Sequence, residues 1–416
     1  MQRYRRIADA LRTASGALDP EVRDGRLNVV FTILAAVFAA YLVLGVNAAA
    51  TGSGSNRFGD FYALWCSAFV AHDGAPALSY DADALHLRQA ALGMNPHAYN
   101  PFPYPPTFLL ILAPFGWLSL GAAYALFMSA TLAGYLWAMV GGRLRDWPRL
   151  VGALIAPATG VALFSGQSGF LSGALMLGGL RLAESRPIVA GALFGLLAYK
   201  PQLGVLVPIA LIAAGFWRTI AAAGVTLLAC ALISSAAFGM NIWPVWLGSL
   251  VAYSGSFDTV DYLMPTIAAN ARMLGAPAYV ALTLQACAAI AVALVVWRAF
   301  RAGVSPRAGA LLVVGTFLAT PHAFNYDLPM MTSAVLWYGE ERIRATRSLA
   351  LSEIVILSLA LILPFAMFAL GKNAPPISWA PELLLFCLIA RPNSALAGSA
   401  PARRRPLGAP SPLAAG

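Results

Sequence analysis

Asp60 stands in the stretch NRFGDFYALWCSAF, ten residues after a long apolar block, where an amphipathic helix begins. A carboxylate there has two readings. It is either an acid favoured by the positive end of a helix dipole, or a general base taking the proton of a hydroxyl at a membrane surface. The turn TPHAFNYDLP at 320–329 gathers His322, Asn325, Tyr326 and Asp327 between two apolar blocks, where a plain hairpin would use Gly, Ser or Asn. That density of polar side chains points to chemistry. Lys200, followed by Pro201 and Gln202, also sits between apolar blocks. It reads as a turn lysine snorkelling to the interface or as a clamp on an anionic phosphate. Gln167 in SGQSG forms a third polar turn, and Arg272 either caps an outer helix or binds phosphate. Asp81-Ala82-Asp83 has the spacing of a metal-binding pair but also of an ordinary loop and helix start. No metal site and no cofactor are expected. The four cysteines are scattered, and no Walker loop, dinucleotide glycine fingerprint or HExxH is present.

The elements that must position these residues are membrane helices. Of the 416 residues, 60% are hydrophobic and 11% charged, against roughly 25% charged in a soluble domain. Apolar blocks predict spans near 28–50, 120–141, 150–165, 168–181, 186–200, 202–217 and 219–238. Further spans follow near 278–297, 307–320, 327–338, 350–370 and 376–391, which makes about twelve in an all-α polytopic protein. The net charge of +10 suggests nucleic acid, but the arginines sit in short loops, where they set orientation instead. With both termini cytoplasmic, 22 of the 27 basic residues fall inside, leaving Arg57, Arg88, Lys200, Arg272 and Lys372 outside. All four histidines and Asp60 then share the outer face.

Residues 1–26 read as a cytoplasmic leader, 27–392 as one transmembrane domain, and 393–416 as a disordered cytoplasmic tail. The first apolar block is too long for a signal-peptide core of ~7–15 residues, so an uncleaved span is expected. The outer loops are 51–119 and 239–276, with amphipathic stretches at 60–71 and 81–92. Residues 104–118, YPPTFLLILAPFGWL, are placed as a re-entrant or interfacial segment, since a single crossing would put Arg143, Arg145 and Arg149 outside. WPVWLGSL, in the second outer loop, is placed at the interface by its tryptophans.

The order of GDFYALW, an SYD stretch, YPP, a GQ turn, KPQ and a late histidine turn resembles glycosyltransferase family 87. This is a bacterial family of polyprenol-phosphate-dependent, mannosyltransferase-like membrane proteins related to the mycobacterial phosphatidylinositol mannoside mannosyltransferase. The likeness covers roughly residues 28–391 and implies a C-type glycosyltransferase fold in the bacterial inner (plasma) membrane. It implies Asp60 as catalytic base, His322 beside it and Lys200 on the donor phosphate. Tyr62, Tyr104, Gln167, Gln202, Arg272 and Asn325 are the further candidate substrate contacts. The implied partners are a polyprenyl-phosphate-linked sugar donor, a lipid or glycan acceptor and membrane lipids, with no nucleic acid.

Such chemistry suits a sparse site. A glycosidase needs two carboxylates because its alkoxide leaving group must be protonated. A lipid phosphate leaves more readily, so a cation can replace the acid. One base and in-line placement then suffice, and inversion at the anomeric carbon is expected. The transferred sugar is expected to be a hexose such as mannose. A secondary transporter or lipid-linked-sugar flippase is the alternative, and would carry ionisable groups near the bilayer midplane. A non-catalytic assembly protein would explain the outer loop but not the gathered acid, histidine and lysine.

Overall fold

The computed structural model describes residues 39–40, 43, 58–94, 99–142, 146–253, 257–346 and 348–391. The leader 1–26, nearly all of the first expected span and the tail 393–416 lie outside the described residues. Among those described, the chain is helical throughout, with no strand. A cap at one end comprises α1 (Phe61–His72), α2 (Ala82–Ala91) and α3 (Pro106–Leu112). The bundle follows with α4 (Leu120–Val140), α5 (Trp147–Ile155), α6 (Pro157–Ser165), α7 (Gly169–Leu182) and α8 (Pro187–Leu196). Then come α9 (Val207–Ala214), α10 (Trp217–Phe238), α11 (Ile242–Tyr253) and α12 (Ile267–Met273). The last helices are α13 (Ala278–Ala302), α14 (Pro306–Ala319), α15 (Pro329–Thr346), α16 (Leu351–Leu370) and α17 (Ala380–Ala390).

Length and composition let four of these cross a bilayer: α4, α10, α13, and α16 with its 3₁₀ extension to Asn373. A fifth is possible if α5 and α6, bent by 53° at Ala156-Pro157, form one broken span. Among the described residues, four or five full-length spans are therefore what the helices provide, and the remaining expected spans are shorter helices. The reason lies in Pro and Gly breaks. Even α7, with 14 residues, reaches only about 21 Å at ~1.5 Å per residue, short of a ~30 Å hydrocarbon core. Segment 104–118 behaves similarly. Its helical part, Pro106–Trp117, is too short to cross and lies against α1 and α10.

The solvent for this bundle is written on its surface. Along α10, Val225, Leu228 and Leu232 are each at least 60% exposed, and only 6% of its most apolar window is buried. A helix turning its leucines outward is stable in lipid, where the backbone is satisfied within the helix. Inside, α14 is buried along almost its whole length and forms the centre on which α13, α15 and α17 pack. Helix α8 meets α10 through Gly191 and Gly195. A Cβ on either would come within 2.7 Å of a backbone oxygen of α10, the close approach that small residues four apart permit.

Two sequence expectations for the outer loops need correction. The stretch at 60–71 is not a surface amphipath, because nine of the twelve residues of α1 are buried. Segment 106–117 and the 3₁₀ turn Pro76–Tyr80 cover it from two sides. The tryptophans of WPVWLGSL also turn inward. The Trp246 indole donates to the Pro103 carbonyl (3.1 Å) and the Trp243 indole to Ser235 Oγ (2.9 Å). It is Leu247 and Val251 that face outward from α11.

Arginines expected on the cytoplasmic side gather away from the cap formed by α1, α2 and α3. Arg149 donates to both oxygens of Glu340, and Arg342 pairs with Glu353. Glu340 and Arg342 lie far along α15 from the turn that carries Asp327.

Candidate functional site

Four turns meet at the opposite end of α15, and glycine lets them meet. Gly59 (φ +53°) opens the Asp60 turn and Gly166 (φ +62°) ends α6. A Cβ on Gly166 would stand 2.3 Å from the Phe58 carbonyl oxygen, so the two backbones touch with no room for a side chain. The Asp60 N–H donates to the Ser165 carbonyl at 2.8 Å across this junction. Three residues on, a Cβ on Gly169 would fall 1.9 Å from the Tyr326 carbonyl oxygen. The SGQSG turn is thus wedged between the Asp60 turn and the 320–329 turn. Tyr199, just before Lys200, donates to the Ser168 carbonyl at 3.0 Å and ties in the fourth turn.

A cavity of about 520 Å³ opens where these turns converge. Of the residues named from sequence, Asp60, Tyr104, Gln167, Lys200, Gln202, His322, Tyr326 and Asp327 line it. Tyr62, Arg272 and Asn325 do not. The Tyr62 phenol is turned into the core, where it donates to the Leu92 carbonyl. Arg272 on α12 is engaged by Asp261, its Nε donating to Oδ2 at 2.8 Å. Asn325 is buried within the turn. Asp81, half of the possible metal pair, instead accepts from the Ala84 N–H (2.9 Å) and caps α2. Among the described residues, no three His, Cys, Asp or Glu side chains group as metal ligands.

Asp60 does not behave as a helix cap, for its side chain takes no hydrogen bond from the first turn of α1. Its Oδ2 accepts instead from Gln167 Nε2 at 3.1 Å, while Gln167 Oε1 accepts from the Tyr104 phenol at 3.0 Å. With both ends of its amide engaged, Gln167 orients the carboxylate. Burial raises the Asp60 carboxyl above its ordinary range, opposed by the Gln167 hydrogen bond and the charge of Lys200. A carboxylate that holds a proton more tightly than usual is a stronger base. His322 is moved the other way. Burial lowers it to about 4, against the pull of Asp327 and helped by the charges of Lys200 and Arg272. It is therefore a neutral imidazole near pH 7, able to hydrogen-bond but not to supply charge.

The cation of the cavity is Lys200, held by Asp327, a residue of the polar 320–329 turn that the sequence did not pair with it. Its Nζ donates to Asp327 Oδ1 at 2.7 Å, with the two side chains only 3% and 1% exposed. Rings of Tyr326 and Tyr104 lie 4.9 and 5.6 Å from Nζ, within cation–π range. Phe324, stacked on Tyr326, and Trp246 from α11 complete an aromatic wall. The signal for Asp327 was present in TPHAFNYDLP, but no spacing rule pairs it with a lysine 127 residues away.

A helical bundle with apolar helix faces turned outward, and at one end an aromatic-walled cavity holding an acid and a lysine, defines a membrane protein with a candidate site. The family model for glycosyltransferase family 87 matches residues 102–321, more than half of the chain. The chain belongs to glycosyltransferase family 87. The matched stretch holds Tyr104, Gln167, Lys200, Gln202 and Arg272, while Asp60 and His322 fall outside it and join the site through the fold. The chain is also 28% identical over 213 residues to an alpha-(1->3)-arabinofuranosyltransferase of Mycolicibacterium smegmatis. That match covers 46% of each protein, so the chain spans under half the length of this relative. No solved structure matches the chain.

Proposed function

We propose that this protein transfers a sugar from a polyprenyl-phosphate donor to an acceptor hydroxyl, with Asp60 as general base. The carrying observation is a desolvated carboxylate and a buried ammonium, Lys200, opening on one aromatic-walled cavity. In the proposed step the acceptor oxygen attacks the anomeric carbon as its proton passes to Asp60. The bond to the phosphate oxygen breaks, and the lipid phosphate leaves with its growing negative charge against Lys200. Attack opposite the leaving group inverts the anomeric centre. A neutral His322 assists by hydrogen bonding, and Gln202 and Tyr104 contact substrate. Aromatic faces suit a sugar ring, whose two sides are partly apolar.

The bilayer is the membrane of a bacterial cell, with the cavity on the outer face, both termini cytoplasmic and the short helices completing a C-type glycosyltransferase fold. Mannose or another hexose is the sugar drawn from the sequence resemblance. The relative's name favours arabinofuranose as a second reading. Proteoliposomes given radiolabelled polyprenyl-phosphate mannose or polyprenyl-phosphate arabinose separate the two. Transfer from neither donor refutes the reading. Lys200→Ala is expected to raise the apparent KM for the productive donor about tenfold or more, since a charge-assisted phosphate contact contributes ~1.5–3 kcal/mol. An unchanged donor dependence counts against the lysine.

The same reading sets a pH dependence. Transfer needs Asp60 ionised, and burial raises that group. The rate should therefore fall on acidification with a midpoint above the usual carboxylate value of about 4. His322, already neutral, adds no inflection between about pH 5 and 8. An initial-rate profile that is flat down to about pH 4 would remove an elevated carboxylate from the mechanism.

A further inference from the structure

The buried ion pair between Lys200 and Asp327 does more than the proposed chemistry requires of either residue alone. The two side chains come from turns far apart in sequence, yet each is almost wholly buried and they meet at 2.7 Å. Burying an ion pair in a protein interior seldom stabilises it over apolar residues of the same volume. The pair therefore calls for a reason besides stability, and its position at the cavity supplies one.

Asp327 is held by its own turn independently of the lysine. Its Oδ2 accepts the backbone N–H of Phe324 at 3.2 Å, closing the short 3₁₀ turn Asn325–Asp327 on itself. Its Oδ1 is left to face Lys200. Lys200, in contrast, ends a flexible four-carbon stem with three N–H donors. Among the described residues, Asp327 Oδ1 is the one hydrogen-bond acceptor of Nζ. The remaining donors lie among the rings of Tyr104 and Tyr326 at the cavity wall. Ring faces attract a cation but offer no strong acceptor to its N–H groups, so two of them remain available to an incoming oxyanion.

Resting on the proposed donor, we propose that Asp327 is a positioning residue of a phosphate receptor. It holds the Lys200 ammonium at the cavity wall, with its unspent N–H groups available to the phosphate of a lipid-linked donor. The other charged or titratable groups around this ammonium are Asp60, His322, Tyr104, Tyr199 and Tyr326. Of the carboxylates, Asp60 is bound to Gln167 and assigned to the acceptor, which leaves Asp327 as the lysine's anchor.

The test is direct binding, with polyprenyl monophosphate and the uncharged polyprenol of the same length as paired probes. Each is titrated into the purified full chain in nanodiscs, with tryptophan emission as the readout because Trp246 lines the cavity. Wild type is expected to prefer the phosphate over the alcohol by tenfold or more. Asp327→Asn is expected to lose that preference while binding polyprenol as wild type does, a pattern that general loosening of the fold would not give. Asp327→Glu keeps the charge but displaces the ammonium by one methylene, and should lower the preference about threefold. If Asp327→Asn does not fold, the glutamate variant decides, and an unchanged preference in it overturns the proposal. So does a wild-type preference in a folded Asp327→Asn. A wild type that itself shows no preference for phosphate refutes the underlying donor reading instead.

Discussion

Asp60→Asn is expected to lower the rate of transfer by about 10²–10⁴-fold, the span that a general base contributes, while the protein inserts and folds as wild type. The asparagine carbonyl can still accept from Gln167 Nε2, so the Tyr104–Gln167–residue 60 chain survives. The backbone bond to Ser165 is untouched. The substitution takes away only the ability to accept a proton, and it also removes a carboxylate whose burial is unfavourable. Rates with radiolabelled donor, read beside the thermal midpoint in the same detergent, separate the two effects. A variant with full activity would take Asp60 out of the mechanism. One that is inactive because it has unfolded would show its carboxylate to be structural.

Gly166→Ala is the second large effect, expected on stability and activity together. A non-glycine residue in the left-handed region costs ~1–2 kcal/mol, and overpacking a filled site adds ~1–3 kcal/mol. Both penalties fall on Gly166, with φ +62° and the Phe58 carbonyl oxygen 2.3 Å from any Cβ. The sum, about 2–5 kcal/mol, is a large part of a typical folding free energy of ~5–15 kcal/mol. Relief can come only by separating the Asp60 turn from the SGQSG turn, which pulls Gln167 from the carboxylate. Gly215→Ala is the matched control. Its φ is +72°, but nothing lies within 4 Å of the new methyl group. It should show the backbone cost alone, with normal transfer. Equal thermal shifts and equal rates for the two variants would mean that the Gly166 junction does not hold the site.

The membrane character, the helix positions and the one-sided gathering of polar turns were legible in the sequence because each depends on local composition. Arginine placement separated the end of α15 bearing Glu340 and Arg342 from the end bearing Asp327. Helix length was harder to read. A hydropathy window does not see that Pro201 and Gly204 convert the chain after Lys200 into 3₁₀ turns, or that Ala156-Pro157 bends a span by 53°. Site membership failed where it depended on which way a side chain turns. Tyr62 and Asp60 are two residues apart, yet one points into the core and the other to the cavity. Arg272 had the right type for phosphate, but a local acid, Asp261, engages it. Asp327 was visible as a residue but not as a partner, since only the packing of turns brings it to Lys200.

The most direct measurement is the anomeric configuration and by-product of a single round of transfer by the wild-type protein in proteoliposomes. Nuclear magnetic resonance of the glycoside and chromatography of the lipid phase read both. A single base acting on a lipid-phosphate donor predicts a glycoside inverted relative to the donor, with one lipid monophosphate released per sugar moved. A retained configuration would instead require a covalent or double-displacement path, and transfer without release of lipid phosphate would require another donor. Either result would contradict the assignment of Asp60 and Lys200.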